Sequence, residues 1–368
     1  MAEKYRVCVI GRTGRGNYGH GLDTVWAEFP NTEVVAVADD DKVGLAAAGK
    51  RLKTERLFAD YRQMLDEMKP NIVAICPRWL DQHRDMVVEV AQRGIHIYME
   101  KPLCRTLAEA DDMVNACDKT HIKLAIAHQT RYSPKIAVIK QMIAEGKIGK
   151  VLEYRGRGKE DARGGGEDLW VLGTHIMDLI RNFGGHPSWC FASVMQNGKP
   201  ITKADVAEGR EGIGPLAGDA VQSMYRMPDG STAYFATTRS AGGNPSRFGL
   251  QIYGSTGIIE ILTGHLSSAK YLADPSWSPG RSGKGWVDIS TAGPGQPETQ
   301  KDGGLHAGNV LAVKDLLAAI EENREPLGNI REARGATEMI VACFESQRQR
   351  GPVALPLENR QNPLTMLE

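Results

Sequence analysis

The sequence predicts an α/β protein of two domains, in which a parallel sheet with flanking helices is followed by an α+β domain. The first third of the chain alternates apolar runs with helical stretches, as the βαβ units of a parallel sheet do. From about residue 129 the pattern changes to helices, a glycine-rich polar loop and alternating segments joined by turn residues such as Pro228-Asp229-Gly230. The chain has 368 residues, which is too long for one ordinary core and supports the division into two domains.

We expect residues 1–128 to form a doubly wound, Rossmann-like domain and residues 129–368 to form the α+β domain. The predicted buried strands of the first domain are YRVCVIG, TEVVAVADDD, NIVAICP, IHIYMEKP and KLAIAHQ. In the second domain, AVQSMYRMPDGSTAYFATT and FGLQIYGSTGIIEIL each predict a hairpin, so the sheet should be mostly antiparallel. RYSPKIAVIKQMIAEGKIG and LWVLGTHIMDLIRNFGG each predict one helix.

Composition excludes several classes of function. Lys plus Arg and Asp plus Glu both number 45, so the chain lacks the basic surplus of a nucleic-acid-binding protein. The six cysteines are far apart and form no C-x-x-C pair, which predicts neither a zinc site nor a disulfide framework. No other set of side chains has metal-ligand spacing, and we predict no metal. We see no signal peptide and no membrane span, and we expect a cytoplasmic protein.

The segment VCVIGRTGRGNYGHGLDTVW runs from an apolar strand directly into glycines, as a phosphate-binding turn does. Gly11 and Gly16 hold the first and third positions of a dinucleotide-binding G-x-G-x-x-G, while Thr13 and Gly14 share the middle. Arg12 lies inside the same turn. A helix N-terminus behind the turn would favour the negative charge of a pyrophosphate. A tight turn without a ligand is the alternative.

Asp39 ends the second predicted strand, and Asp40 and Asp41 follow it. A carboxylate at this position accepts the ribose hydroxyls of an adenosine and repels a 2′-phosphate. We therefore expect the bound nucleotide to be NAD rather than NADP. Three aspartates that cap the next helix are the alternative.

Other strand ends supply further candidates for the ligand crevice, because the carboxyl ends of parallel strands line it. Glu100, Lys101 and Pro102 follow one strand, and Lys101 would project toward the nicotinamide. A lysine there can hold a substrate hydroxyl and lower its proton affinity. Pro77 and Arg78 follow another strand and are expected near the cofactor.

The EKP sequence, followed by HQTRYSP and then LGTHIMDLIRNFGG, resembles the Gfo/Idh/MocA oxidoreductase family over nearly the whole chain. The resemblance implies a Rossmann domain with a large open sheet behind it, assembled as a dimer or tetramer through that sheet. It implies an NAD(P)-dependent oxidoreductase of carbohydrate metabolism that acts on a secondary alcohol of a sugar, sugar derivative or polyol. By position, Lys101 matches the family's active-site lysine, His175 its proton-exchanging histidine, and Asp178 the aspartate that follows, so these three are the predicted catalytic residues. Asp178 lies three residues after His175, on the same helix face, and is expected to orient the imidazole; helix capping or packing is the alternative.

One departure from the family pattern concerns the residue four positions before His175, where many members carry an aspartate and this chain has Val171. Asp168, Glu160 or Asp161 are candidates to replace that carboxylate. The departure keeps a second hypothesis open, in which NAD serves a redox-neutral epimerisation, elimination or glycoside cleavage through a transient keto-sugar. A third hypothesis is a non-enzymatic NAD(H)-binding sensor, against which Lys101 and His175 speak.

The predicted substrate contacts come from both domains. Besides Lys101 and His175, they comprise His128, Arg131, Tyr132 and Asp168. His306 is a further candidate from the second domain, and His83 is expected to be structural. The substrate class is a carbohydrate or polyol, and the particular sugar stays open.

Overall fold

The computed structural model describes residues 4–368, which form two compact units. The first unit comprises the chain up to Gln129 together with Arg210–Gly214 and Leu305–Arg334. The second comprises Thr130–Gly209, Pro215–Gly304 and Gly335–Glu368. The chain therefore returns to the first unit near its C-terminal end.

The first unit contains a six-stranded parallel sheet with the strand order β3-β2-β1-β4-β5-β6. Its strands are β1 (Tyr5–Ile10), β2 (Thr32–Ala38), β3 (Leu57–Phe58), β4 (Ile72–Ile75), β5 (His96–Met99) and β6 (Leu124–Ile126). The helices that follow these strands are α1 (Lys42–Leu52), α2 (Tyr61–Met68), α3 (His83–Gln92) and α4 (Leu107–Thr120). The order is that of a doubly wound dinucleotide-binding fold, which confirms the predicted fold class of this part.

Buried apolar side chains of these strands and helices form one core. The strands are covered on both faces, so they expose almost none of their surface. Ile10 of β1 pairs with Ala38 of β2 and with Ile75 of β4, and Ile75 pairs with Met99 of β5. The residues after these four strands therefore line one edge of the sheet.

The helix expected directly behind the glycine turn is absent from the described residues between β1 and β2. That connection holds only a short 3-10 turn at Val25–Glu28. Gly19 and Gly21 have φ values of +64° and +86°, in the left-handed region that interrupts a right-handed helix. The sequence-based expectation of a helix N-terminus behind the turn was wrong for this reason.

The second unit is built on a large sheet with the order β18-β17-β16-β15-β14-β7-β13-β12-β8-β19, in which β9 also pairs with β8. Among its described strands only β7 and β13 pair in parallel, so the prediction of a mostly antiparallel sheet is confirmed. Its strands are β7 (Val151–Arg157), β8 (Trp189–Gln196), β9 (Lys199–Pro200), β12 (Ala220–Arg226), β13 (Thr232–Thr238), β14 (Gly249–Gly254), β15 (Gly257–Leu262), β16 (Ala269–Leu272), β17 (Val287–Ser290), β18 (Gly293–Pro294) and β19 (Val353–Ala354). The short strands β10 (Ala207–Glu208) and β11 (Pro215–Leu216) form a separate antiparallel pair.

The remaining helices are α5 (Pro134–Ala144), α6 (Gly166–Val171), α7 (Gly173–Gly184), α8 (Pro279–Ser282), α9 (Gly304–Glu321) and α10 (Ile330–Gln349). The segment predicted as one helix from Leu169 to Gly185 is divided between α6 and α7 at Leu172, whose φ is −123°. The Thr237 hydroxyl of β13 donates a hydrogen bond to Asp168 of α6 and accepts one from the backbone N–H of Gly165, just before α6. Contacts between residues so far apart in the chain cannot be read from local sequence. Both predicted hairpins are confirmed as β12–β13 and β14–β15.

Candidate functional site

The glycine turn after β1 forms a tight hairpin with exposed backbone. Arg12 and Asn17 exchange two backbone hydrogen bonds of 3.0 Å each. Gly14 and Gly16 have φ values of +82° and +87°, which side chains rarely adopt. A Cβ on Gly16 would lie 2.2 Å from the backbone nitrogen of Arg78, whereas a Cβ on Gly14 would meet nothing within 4 Å. Gly16 is thus required for close packing, and Gly14 leaves the turn open to a ligand.

The Asp39 carboxylate is engaged inside this turn. It accepts hydrogen bonds from the Thr13 backbone N–H (3.1 Å to each oxygen), the Thr13 hydroxyl (2.7 Å), the Tyr18 hydroxyl (2.8 Å) and the Asp41 backbone N–H (3.0 Å). Only 2% of Asp39 is exposed. The structure therefore gives Asp39 the role of an anchor for the turn, where the sequence predicted a contact to ribose hydroxyls.

Asp40, the next residue, is more open than Asp39. Its side chain is 61% exposed, and its Oδ2 lies 3.6 Å from Nε of Arg12. Arg12 and Arg15 also form ion pairs of 3.1 and 2.8 Å with Asp81. A cavity of about 180 Å³ opens at this edge of the sheet. Its lining residues are Ile10, Gly11, Arg12, Ala38, Asp39, Asp40, Ala59, Asp60, Tyr61, Arg62, Gln82 and Met86.

Glu100 joins the glycine-rich segment to the turn that carries Lys101. Its buried carboxylate accepts the backbone N–H of His20 (2.8 Å) and of Lys101 (3.0 Å), and its Oε1 lies 2.6 Å from Nδ1 of His20. Burial raises the pKa of Glu100, but the His20 hydrogen bonds and charge outweigh burial and lower it overall. The side-chain amide of Asn309 donates to the His20 carbonyl at 2.9 Å. Sequence analysis missed His20 and Asn309; the Gly-His-Gly context marked His20, whereas nothing local marked Asn309.

The Lys101 turn is also held by His83, which is fully buried. Nδ1 of His83 lies 2.9 Å from the Pro102 carbonyl and 3.1 Å from that of Leu103, and Nε2 lies 2.8 Å from the Pro77 carbonyl. His83 therefore connects the loops after β4 and β5. Lys101 itself is only 8% exposed. These contacts fix the turn from which Lys101 projects.

In the second unit, Arg131 and Asp178 form a buried ion pair. Nε of Arg131 donates to both carboxylate oxygens of Asp178 at 2.9 and 3.0 Å, and its Nη2 lies 2.8 Å from Oδ1. The two side chains are 6% and 1% exposed. A bidentate ion pair of this kind fixes the planes of the guanidinium and the carboxylate relative to each other, and it holds Arg131 against α7. The structure brings together these two predicted site residues.

His175 lies on the first turn of α7, three residues before Asp178. Its backbone N–H donates to the Leu172 carbonyl at 3.0 Å. Its ring meets the Phe248 ring edge to face, with centroids 6.4 Å apart and planes at 77°. The imidazole is half-buried, so it combines a fixed position with access to solvent.

The carboxylates considered as replacements at Val171 are engaged elsewhere. Asp168 is fully buried and accepts hydrogen bonds from the Glu160 backbone N–H (3.1 Å) and the Thr237 hydroxyl. Burial raises the pKa of Asp168. Its predicted contact with a substrate has no support here, because the side chain is closed to a ligand.

Glu160 and Asp161 are paired with arginines. Glu160 is fully buried and lies 3.0 Å from Nε of Arg247 and 3.3 Å from Nη2 of Arg157. Arg163 donates twice to Asp161, and this pair lowers the pKa of Asp161 to about 2. The loop carboxylates therefore stabilise the loop itself.

The remaining candidates are placed as follows. His128 and Tyr132 are buried, at 1% and 7% exposure. Nε2 of His306 lies 3.0 Å from Oε1 of Glu28, and both residues belong to the first unit. The prediction that His306 acts from the second domain was wrong, because α9 returns to the first unit.

Within residues 4–368, no cluster of three or more His, Cys, Asp or Glu side chains has an arrangement that would hold a metal ion. None of the helices in that range is long and apolar enough to cross a membrane.

Two family models match the chain. Residues 5–128 match the model described as "Oxidoreductase family, NAD-binding Rossmann fold". Residues 136–260 match the "GFO/IDH/MocA C-terminal domain". Together the two models cover more than half of the chain.

Relatives with known activities match only part of the length of this chain. Levoglucosan dehydrogenase of Pseudarthrobacter phenanthrenivorans is 28% identical over 256 residues, which are 63% of this chain and 65% of the relative. D-apiose dehydrogenase of Paraburkholderia graminis is 31% identical over 204 residues, which are 53% of this chain and 54% of the relative. The matches thus span between half and two thirds of the length of these relatives.

The fold extends over nearly the full length of a solved structure. A levoglucosan dehydrogenase in complex with NADH and levoglucosan superimposes with a TM-score of 0.76 at 22% identity, covering 96% of this chain and all of that one. At this identity the likeness establishes the fold. Both family models and the shared fold lead to one conclusion: the chain belongs to the GFO/IDH/MocA oxidoreductase family.

Proposed function

We propose that this protein is an NAD-dependent oxidoreductase that transfers hydride between the nicotinamide and a secondary alcohol of a sugar, sugar derivative or polyol. The observation that carries the proposal is the anchored Lys101 turn, which lies at the same sheet edge as the cavity lined by Asp39, Asp40 and Asp60. Family membership supports the proposed reaction, and the dehydrogenases of levoglucosan and D-apiose support the proposed substrate class.

The residues at this edge fit a dinucleotide. Gly14 exposes backbone where a pyrophosphate would approach, and Arg12 and Arg15 lie beside the same turn. The cavity beyond it is lined by three aspartates and by two arginines, Arg12 and Arg62. Both arginines already pair with carboxylates outside the lining, Asp81 and Glu89, so the cavity suits ribose hydroxyls better than an additional phosphate. When bound, the nicotinamide would supply the hydride acceptor or donor.

The protein's own residues would handle the proton and the developing charge. In this proposal Lys101 stabilises the alkoxide that forms as hydride leaves the carbinol carbon. His175 takes the hydroxyl proton during oxidation and returns it during reduction. Asp178 and Arg131 hold in position the face of α7 that carries His175, because their ion pair is buried and bidentate.

The redox-neutral alternative would require a second acid–base group next to the reacting carbon. Its candidates are Glu160, Asp161, Glu167 and Asp168, of which Glu160, Asp161 and Asp168 are engaged in ion pairs or hydrogen bonds. This engagement favours net oxidation or reduction over epimerisation or glycoside cleavage.

We expect copies of the chain to assemble through the open face of the large sheet, and we expect them in the cytoplasm. That face holds a cavity of about 1020 Å³ lined by alternate side chains of several strands, among them Glu153, Arg155, Tyr234, Gln251 and Lys270. Phe191 and Tyr234 are exposed by 44% and 38%, as residues of an interface often are in a free subunit. Sedimentation velocity of the purified protein tests the assembly.

A substrate panel tests the proposed activity. The protein is incubated with NAD and with levoglucosan, D-apiose, inositols and common aldoses in deuterated water, and products are followed by NMR and reduced nicotinamide by absorbance. A ketone or lactone formed in equal amount with NADH supports the proposal. Deuterium entry beside a carbinol, or an epimer without net NADH, supports the redox-neutral alternative. Binding of NAD without turnover of any compound would favour the sensor.

Two variants assign the activity to this site. Lys101→Met should lower kcat/KM by a factor of about 100 or more, which is the usual size of such a contribution. Lys119→Met, on the exposed side of α4, is the matched control and should leave kcat/KM unchanged.

A further inference from the structure

The specificity of a dinucleotide site for NAD depends on which carboxylate faces the adenosine ribose. Asp39 stands at the end of β2, where such a carboxylate is expected. However, its two oxygens already accept from two backbone N–H groups and two hydroxyls, and 2% of the residue is exposed. A carboxylate has about four lone-pair sites, so Asp39 has no capacity left for two ribose hydroxyls.

Asp40 has the properties that Asp39 lacks. Its side chain is 61% exposed and lines the cavity at this edge together with Gly11 and Tyr61. Within residues 4–368 its nearest cation is Arg12, at 3.6 Å, beyond hydrogen-bond distance. Both of its oxygens are therefore available to accept from a ligand.

Thr13 explains why Asp39 is occupied. It replaces the second glycine of the expected turn, and both its backbone N–H and its hydroxyl donate to Asp39. A Cβ on Gly44, in the first turn of α1, would lie 1.8 Å from the Thr13 hydroxyl oxygen. The Thr13 side chain thus fills the space that Gly44 leaves empty, and it reaches Asp39 from that position.

We propose that Asp40, and not Asp39, binds the adenosine ribose of the cofactor and excludes NADP, while Asp39 with Thr13 and Tyr18 sets the shape of the glycine turn. This assignment rests on the proposed function, since it names the residue that selects the cofactor of the same site. A ribose 2′-phosphate placed at Asp40 would meet an exposed carboxylate with Asp39 and Asp60 nearby, and like charges repel. The two arginines of the cavity, Arg12 and Arg62, offset this repulsion only in part, because they already pair with Asp81 and Glu89. Asp40 would therefore account for the selectivity for NAD, and the conformation of the glycine turn would not have to differ between the two nucleotides.

The test measures dissociation constants for NAD and for NADP by isothermal titration calorimetry, and melting temperatures without ligand. Asp40→Asn should weaken NAD binding about tenfold and reduce the preference for NAD over NADP at least tenfold, because a charged acceptor of two hydrogen bonds is lost. Its melting temperature should stay within a degree or so of the wild type, since an exposed side chain changes.

Asp39→Asn and Thr13→Val are the matched variants. Both should lower the melting temperature and weaken NAD and NADP in equal proportion, so the preference between them stays unchanged. Thr13→Val retains the Asp39 charge, which keeps the test valid if Asp39→Asn fails to fold. The proposal is overturned if Asp39→Asn or Thr13→Val reduces the preference as much as Asp40→Asn does, or if Asp40→Asn leaves it unchanged. Absence of binding of both nucleotides to the wild type would instead overturn the proposed function.

Discussion

His20 Nδ1 and Glu100 Oε1 lie 2.6 Å apart and connect the glycine-rich segment after β1 to the Lys101 turn after β5. Glu100 is fully buried and also accepts the backbone N–H of both His20 and Lys101. Two segments that are 80 residues apart in the chain are therefore held in one arrangement. The Glu100 side chain acts here as a support for the turn.

We expect Glu100→Gln to lower the free energy of unfolding by about 2 kcal/mol, because a buried charge-assisted hydrogen bond is replaced by a neutral one. Folding lowers the pKa of Glu100, so its stabilising contribution is present above the unfolded pKa of about 4.5 and is lost as the pH falls through the lower folded value. Urea unfolding at several pH values checks both points. Glu67→Gln, whose partner Gln63 is exposed, is the control and should have little effect.

Gly16→Ala and Gly14→Ala separate close packing from backbone strain. Both glycines have positive φ, which costs an alanine about 1 kcal/mol. Only at Gly16 would the added methyl group collide with the Arg78 backbone, 2.2 Å away. We therefore expect Gly16→Ala to lose NAD binding and several kcal/mol of stability, against about 1 kcal/mol for Gly14→Ala. Calorimetry measures NAD affinity and urea unfolding measures stability. Equal losses of both quantities in the two variants would contradict this explanation.

Asp178→Asn tests the buried pair with Arg131. Removing one partner leaves an uncompensated buried charge, so we expect a loss of about 3–5 kcal/mol in urea unfolding. The paired comparison is Asp161→Asn, which breaks a half-exposed pair with Arg163 and should cost about 1 kcal/mol or less. Similar costs for the two substitutions would show that burial does not distinguish these pairs.

Asp168→Asn should become relatively more stable than the wild type as the pH rises. Burial raises the folded pKa of Asp168 above the ordinary aspartate value of about 3.8, so the stability it contributes is fully present below that value and is lost as the pH rises through the folded pKa. Asparagine keeps an oxygen that can accept from Thr237 and from the Glu160 N–H without carrying a charge. Urea unfolding of both proteins between about pH 4 and pH 7 measures the difference. A difference that does not change across this range would contradict the prediction.

Much of the fold was predictable from local sequence. Apolar runs such as VCVI and IVAI are long enough to be strands and too short to be helices, and their spacing with helical stretches predicts a parallel sheet. The turn residues Pro228-Asp229-Gly230 predict the β12–β13 hairpin because they suit the turn geometry. The strand ends were therefore known, and with them the edge that carries Asp39 and Lys101.

By itself, the sequence determined which residues reach this edge, because strand periodicity and turn chemistry depend on neighbours in the chain. Only the tertiary structure decided their partners: Asp39 with Thr13 and Tyr18, Glu100 with His20, and Asp178 with Arg131. These contacts join residues between 21 and 80 positions apart, and the sequence pattern does not specify them. The division of α6 from α7 and the return of α9 to the first unit have the same origin, since both depend on packing between distant segments.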